Sequence, residues 1–285
     1  MPELPFIQVL TENLDREVRE RTIARVNLHG PSLLKTFEPP LGAIQGRRIG
    51  GVRRLAKLVI VDLESDLSLV LHLMRHGRVQ IGPPRARGGK DLALGLGLDD
   101  GREVRVVELG PKKRASVYVL RTSTMTEVEP IAGLGMDPLD PGFSVERLGA
   151  MLAGETTQLK RFLTLQRYVT GIGNAYSDEI LWEAPLSPFV RADRLKPAEM
   201  RTLHAAIMDT LRRAFEEHRR HFDAQIPTRE PLELLRVHRH GGEPCPRCGT
   251  PIAEIAYAER ETYYCPTCQT GGKVYADRRM SRLLK

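Results

Sequence analysis

Residues 245–268 read Cys-Pro-Arg-Cys-Gly-Thr-Pro-Ile-Ala-Glu-Ile-Ala-Tyr-Ala-Glu-Arg-Glu-Thr-Tyr-Tyr-Cys-Pro-Thr-Cys, and they hold all 4 cysteines of the 285-residue chain. Cys245, Cys248, Cys265 and Cys268 form two C-x-x-C pairs 16 residues apart. That spacing lets two turn-borne thiolate pairs close on one tetrahedral Zn²⁺. The glycine after the first pair and the Glu261-Thr262-Tyr263-Tyr264 run before the second suggest a β-hairpin finger. Four thiolates leave no open coordination position, so the expected zinc is structural, supplying folding energy of about 10–16 kcal/mol. A redox dithiol is the alternative, and it explains one pair better than two; His238 and His240 stand near enough to be considered as ligands. A cysteine-free stretch over the first 244 residues argues against a secreted disulfide scaffold and for a reducing compartment.

Charge points the same way along the chain. The segment 236–285 carries nine Lys/Arg against five Asp/Glu, more than half of the chain's net +7. Such an asymmetry favours a polyanion-facing module. A composition of 41% hydrophobic and 28% charged residues excludes a disordered or fibrous chain. No apolar run reaches the roughly 18 residues of a membrane span, and Met1-Pro-Glu-Leu-Pro-Phe-Ile-Gln-Val-Leu-Thr-Glu-Asn-Leu14 has neither a basic leader nor a signal-like core. The expectation is a cytoplasmic monomer, nucleoid-associated if bacterial, with no membrane partner.

Upstream of the finger the hydrophobic period changes twice. Ile7, Leu10, Leu14 and Val18 sit at helical spacing within 6–23. Short β-branched or alternating runs then follow at 58–61, 67–73, 104–107 and 116–119, bounded by turn residues, as in an antiparallel β-sandwich. Residues 122–143 are broken by Pro130, Gly133, Gly135, Pro138, Pro141 and Gly142 and read as a linker. Beyond it Ser144 is a candidate N-cap, and Pro197 stands like a first-turn proline ahead of Met200, Leu203, Ile207 and Leu211.

Four further motifs stand in order with the finger. They are Met1-Pro2-Glu3-Leu4-Pro5, Lys57 within 53–63, His72-Leu73-Met74-Arg75-His76-Gly77, and Gly171-Ile172-Gly173-Asn174-Ala175-Tyr176-Ser177-Asp178-Glu179. Together they resemble the formamidopyrimidine-DNA glycosylase / endonuclease VIII family over nearly the whole chain. The resemblance implies an α+β multidomain fold: an N-terminal antiparallel β-sandwich with a flanking helix (1–125), a linker (126–143), a helix–two-turn–helix domain (144–235) and a four-cysteine β-hairpin zinc finger with a basic tail (236–285). It also implies DNA with damaged bases or abasic sites as partner. The implied activity is excision of damaged, typically oxidised, bases followed by strand cleavage.

On this reading, removal of Met1 exposes the secondary amine of Pro2 as a nucleophile toward the sugar C1′. An α-amino group titrates near ~8 against ~10.4 for lysine, so the terminus has the larger reactive fraction near neutral pH. Glu3 is placed to act as general acid, and Lys57 matches the family lysine that assists elimination. Arg260 matches the finger arginine assigned to the lesion phosphate and the second elimination. Asn174 opens a helix whose N-terminus suits a phosphate, and Lys160 and Arg191 are further backbone-contact candidates.

The sequence departs from the family where the flipped-out base leaves a gap. Arg75 stands in the register of the usual wedging methionine, and Lys112 and Arg114 occupy the places of an arginine and a phenylalanine. Phe6 replaces the family's second early glutamate, and 221–235 is short for the loop that covers 8-oxoguanine. The lesion therefore stays open between purine, pyrimidine, abasic and single-strand substrates. A catalytically impaired member binding damaged or structured DNA is the alternative. An RNA-binding or transcription-associated zinc ribbon leaves Met1–Pro5 and 171–176 unexplained.

Overall fold

The computed structural model describes residues 2–84, 89–257 and 260–275. Two compact units divide them: one comprises 1–133 and 218–230, the other 134–217 and 231–285. The segment 218–230, expected within the helical domain, thus groups with the N-terminal unit.

The first unit opens with helix α1 (Leu4–Val18), its start set by Pro5 and by the extended backbone of Glu3. Strands β1 (Ile23–Leu28), β2 (Ile49–Leu55), β3 (Leu58–Leu63), β4 (Leu67–His72), β5 (Gly77–Gly82), β6 (Leu92–Leu98), β7 (Glu103–Glu108) and β8 (Ser116–Arg121) follow. They form two four-stranded sheets, ordered β1-β6-β7-β5 and β2-β3-β4-β8, and every neighbouring pair is antiparallel. Alternating residues such as Val59, Val61, Leu69, Leu94, Val104 and Val119 enter one shared core. Ile7, Leu10 and Leu14 of α1 join that core, as their helical spacing predicts. The helix ends earlier than the expected 23, because Glu20 takes a left-handed φ of 68° and Ile23 already begins β1.

The second unit contains helices α2 (Val145–Leu152), α3 (Leu159–Thr164), α4 (Asn174–Glu183) and most of α5 (Pro197–Phe222). Ser144 caps α2 by accepting the Arg147 N–H at 3.3 Å, and Pro197 is the first residue of α5. Strands β9 (Ala253–Tyr257) and β10 (Arg260–Tyr264) pair as a hairpin, followed by the short α6 (Pro266–Thr270). Trp182 of α4 packs with Val237, Ile252, Tyr263, Cys245 and Cys265 in a small core beneath the finger. Among the described residues no helix is long and apolar enough to cross a membrane.

Candidate functional site

The N-terminal unit buries its first charged residue. Pro2 is buried, and the backbone of Glu3 turns directly into α1, its carbonyl accepting the Ile7 N–H at 3.0 Å. The Glu3 side chain does not cap the helix and is only 5% exposed. Lys57 lies in the two-residue turn between Leu55 and Leu58 of the β2–β3 hairpin, yet it is just 6% exposed. Burial pushes its ammonium pKa below the ordinary lysine value, while the negative charges of Glu3 and Glu230 pull it partly back. Burial, with the Lys57 charge added to it, lowers the pKa of His72 at the end of β4.

Glu230 had no sequence signal. One of its carboxylate oxygens accepts the Glu3 N–H at 2.9 Å across 227 positions of chain, and the other lies 3.8 Å from His218 Nε2. Its negative charge also acts on Arg78, whose Nε donates to the Thr228 carbonyl at 2.5 Å.

Two exposed loops of the same unit carry the cations expected at the base-stack gap. In the β4–β5 turn the Gly77 N–H donates to the Leu73 carbonyl at 2.8 Å, and a Cβ at Gly77 would sit 2.4 Å from that oxygen, so only glycine fits. Arg75 projects from this turn and is exposed. The Leu109 N–H donates to the His76 carbonyl at 3.1 Å, joining the turn to the loop that carries Lys112 and Arg114, both exposed. Lys113 between them is tied to Asp91 at 3.2 Å and to the Glu108 carbonyl. Arg75, Lys112 and Arg114 thus come from two mutually braced loops.

In the second unit Gly171, with φ of +83°, and Gly173 lead into α4, whose first residue is Asn174. Asn174 donates through Nδ2 to the Glu261 carbonyl at 2.9 Å. Lys160 donates to the same carbonyl at 2.6 Å and to Asp178 Oδ1 at 2.6 Å. It is 8% exposed, and the ammonium neutralises a buried carboxylate and braces the finger strand. Asp178 also meets His238 Nδ1 at 2.8 Å. Glu179 accepts the N–H groups of Arg236, Val237 and His238, each at 2.9 Å, while burial pushes its pKa upward. This polar core escaped the sequence reading, although Asp178 and Glu179 lay in a quoted motif. The Arg191 guanidinium is held by Asp193 at 3.0 and 2.6 Å. Arg260 begins β10 opposite Tyr257, and its side chain lies outside the described residues, as does Met1.

The four cysteine sulfurs converge to within 4.8 Å of one another. Cys248–Cys265, Cys248–Cys268 and Cys245–Cys268 are 3.4, 3.5 and 4.0 Å apart, close to the ~3.8 Å edge of a tetrahedron with Zn–S bonds of about 2.3 Å. Cys245, Cys248, Cys265 and Cys268 therefore fit one structural Zn²⁺. Among the described residues the four cysteines alone make up the cluster, and His238 and His240, paired with Asp178 and Glu243 at 2.8 Å, are not part of it.

Family models match three consecutive segments: the formamidopyrimidine-DNA glycosylase N-terminal domain over 1–110, its H2TH domain over 134–224, and the zinc finger found in FPG and IleRS over 242–271. The chain is 34% identical to the formamidopyrimidine-DNA glycosylase of a Nocardioides strain over 281 residues, covering 94% of both chains. A formamidopyrimidine-DNA glycosylase-like protein of Mycobacterium tuberculosis is 47% identical over 156 residues, 53% of this chain and 94% of that one. The crystal structure of wild-type Lactococcus lactis Fpg (MutM) with DNA containing an oxidised pyrimidine superposes with a TM-score of 0.85 at 26% identity, covering 94% of this chain and 100% of that one. Motif order, fold and full-length similarity agree: the chain belongs to the formamidopyrimidine-DNA glycosylase family.

Proposed function

We propose that the protein is a DNA glycosylase with abasic-site lyase activity, acting on damaged, oxidised bases through a Schiff base on Pro2. The observation that carries this reading is the burial of Glu3, the residue after Pro2, together with that of Lys57, whose ammonium pKa is lowered by burial and acted on by the Glu3 charge. A terminal amine next to a sequestered carboxylate and a shifted lysine is the equipment of imine chemistry rather than of passive binding. The solved complex of a relative with oxidised-pyrimidine DNA supports the substrate class.

After removal of Met1, the Pro2 nitrogen donates its lone pair to C1′, and the base leaves with the electrons of its glycosidic bond. Glu3 protonates the ring oxygen, C1′–O4′ opens, and an iminium forms on Pro2. Loss of a C2′ proton then expels the 3′ phosphate, and a second elimination expels the 5′ phosphate. Lys57, with its pKa lowered by burial, moves protons during elimination, and Arg260 holds the lesion phosphate. Arg75, Lys112 and Arg114 contact the strand, and Asn174 is a further backbone contact.

Those loop cations also favour a second reading, a member that binds damaged DNA without excising bases. One experiment separates the two. Protein whose Met1 removal is verified by mass spectrometry is incubated with abasic-site DNA and borohydride. A covalent adduct is expected, absent in Pro2→Gly, while Glu3→Gln loses base excision and keeps DNA binding. No adduct from correctly processed protein overturns the Schiff-base reading.

A further inference from the structure

We propose that Glu230 is a positioning residue of the reaction centre: its carboxylate holds the Pro2–Glu3 peptide by accepting the Glu3 N–H and sets the charge balance around Lys57. This inference rests on the Schiff-base reading and deepens it.

Three observations support it. First, the hydrogen bond is 2.9 Å and engages the amide that immediately follows Pro2, so the orientation of the proline ring is tied to Glu230. Second, the route of the chain delivers this carboxylate to the N-terminus. The Phe6 ring meets Phe222 edge-to-face with centroids 6.1 Å apart, which anchors the end of α5, and Asn13 Nδ2 donates to the Asp223 and Gln225 carbonyls at 2.8 and 2.7 Å. The segment then runs back to Glu3. Third, Glu230 acts on cations of two further elements, Lys57 in the β2–β3 turn and Arg78 on β5, and lies 3.8 Å from the titratable His218 on α5.

The physical consequence is twofold. Attack on C1′ demands a fixed trajectory of the terminal amine, and pinning the amide that follows Pro2 restricts it. A second carboxylate near Lys57 also keeps more of that lysine protonated than Glu3 alone would, preserving a proton for elimination. Residue 6, at the first turn of α1, is a phenylalanine buried in the core, so the carboxylate arrives from the far end of the chain instead.

Glu230→Ala and Glu230→Gln make the test, each verified for Met1 removal and for a cooperative thermal transition. Glutamine keeps an oxygen for the Glu3 N–H but removes the charge. Glu230→Ala is expected to slow single-turnover borohydride trapping about tenfold or more with unchanged DNA affinity. Glu230→Gln is expected to trap faster than the alanine variant, with its pH profile and the NMR-titrated Lys57 Nζ both displaced to lower pH by about half a unit or more. Wild-type rates and profiles in both variants overturn the proposal. If wild-type protein fails to trap at all, the Schiff-base reading falls, and the Lys57 titration still decides: an unmoved Lys57 in Glu230→Gln overturns the charge role.

Discussion

The side-chain amide of Asn174 donates to the main-chain carbonyl of Glu261, the residue after Arg260, at 2.9 Å. The first residue of α4 thereby holds the finger strand by its backbone, next to the arginine proposed to hold the lesion phosphate. Lys160 reaches the same carbonyl and joins it to Asp178, which in turn meets His238. A single buried polar core thus fixes the register of β10 on α3 and α4.

Lys160→Met tests that core. Removing the ammonium leaves Asp178 buried with one fewer cation, so unfolding in urea with zinc retained is expected to show a loss of about 3–5 kcal/mol. Lys160→Met with Asp178→Asn is expected to recover part of that loss. A solvent-facing phosphate ligand would behave differently, leaving stability unchanged and lowering the salt dependence of DNA binding by about one ion.

The zinc site has an optical reporter. The chain has 1 tryptophan, and its Nε1 donates to Cys245 Sγ at 3.3 Å while the Arg247 guanidinium stacks 4.3 Å from the ring centroid. Chelation of zinc is therefore expected to change Trp182 emission in step with metal release followed by a chromogenic chelator. Cys245→Ser is expected to lose the metal and weaken DNA binding; full affinity without metal would contradict a structural role.

Acid stability carries the signature of Glu155. Its carboxylate accepts the Tyr168 hydroxyl at 2.7 Å, the Thr157 N–H at 3.1 Å and Arg167 at 3.1 Å, which hold its pKa at about 2 against an ordinary 4.5. The folded-state pKa is depressed, so this contribution is complete above 4.5 and is lost as pH falls toward 2. Thermal midpoints of wild type and Glu155→Gln are expected to differ most near neutrality and to converge across that window.

Much of the fold was legible because its signals are local. Strand segments alternate, Ser144 and Pro197 punctuate helices by rules acting within one turn, and the cysteine spacing encodes its own geometry. The site was legible only where residues lie in short motifs. Glu230 joins Glu3 across 227 positions, and no periodicity links an isolated glutamate after the longest helix to a carboxylate-lined N-terminus. The burial of Lys160 was illegible for a related reason: an exposed lysine and a buried one look alike in sequence, and only the placement of Asp178 on the adjoining face of α4 distinguishes them.

The cationic loops are expected to bear on which form of DNA the protein prefers. A gap left by a flipped base is filled well by an apolar wedge that stacks between bases, whereas a guanidinium is strongly drawn to phosphates and stacks only by its flat face. Arg75, Lys112 and Arg114 all project from exposed turns, so their charge should act on the backbone of a flexible strand as readily as on a duplex. Each alanine substitution is expected to reduce the slope of log affinity against log salt by about 0.9 on duplex and about 0.7 on single strands. Arg75→Met restores an apolar wedge at the same position and is expected to raise the duplex-to-single-strand ratio of excision while lowering salt dependence. Parallel rates on matched abasic oligonucleotides in the two forms measure that ratio, and an unchanged ratio in Arg75→Met would show that the β4–β5 turn does not enter the base stack.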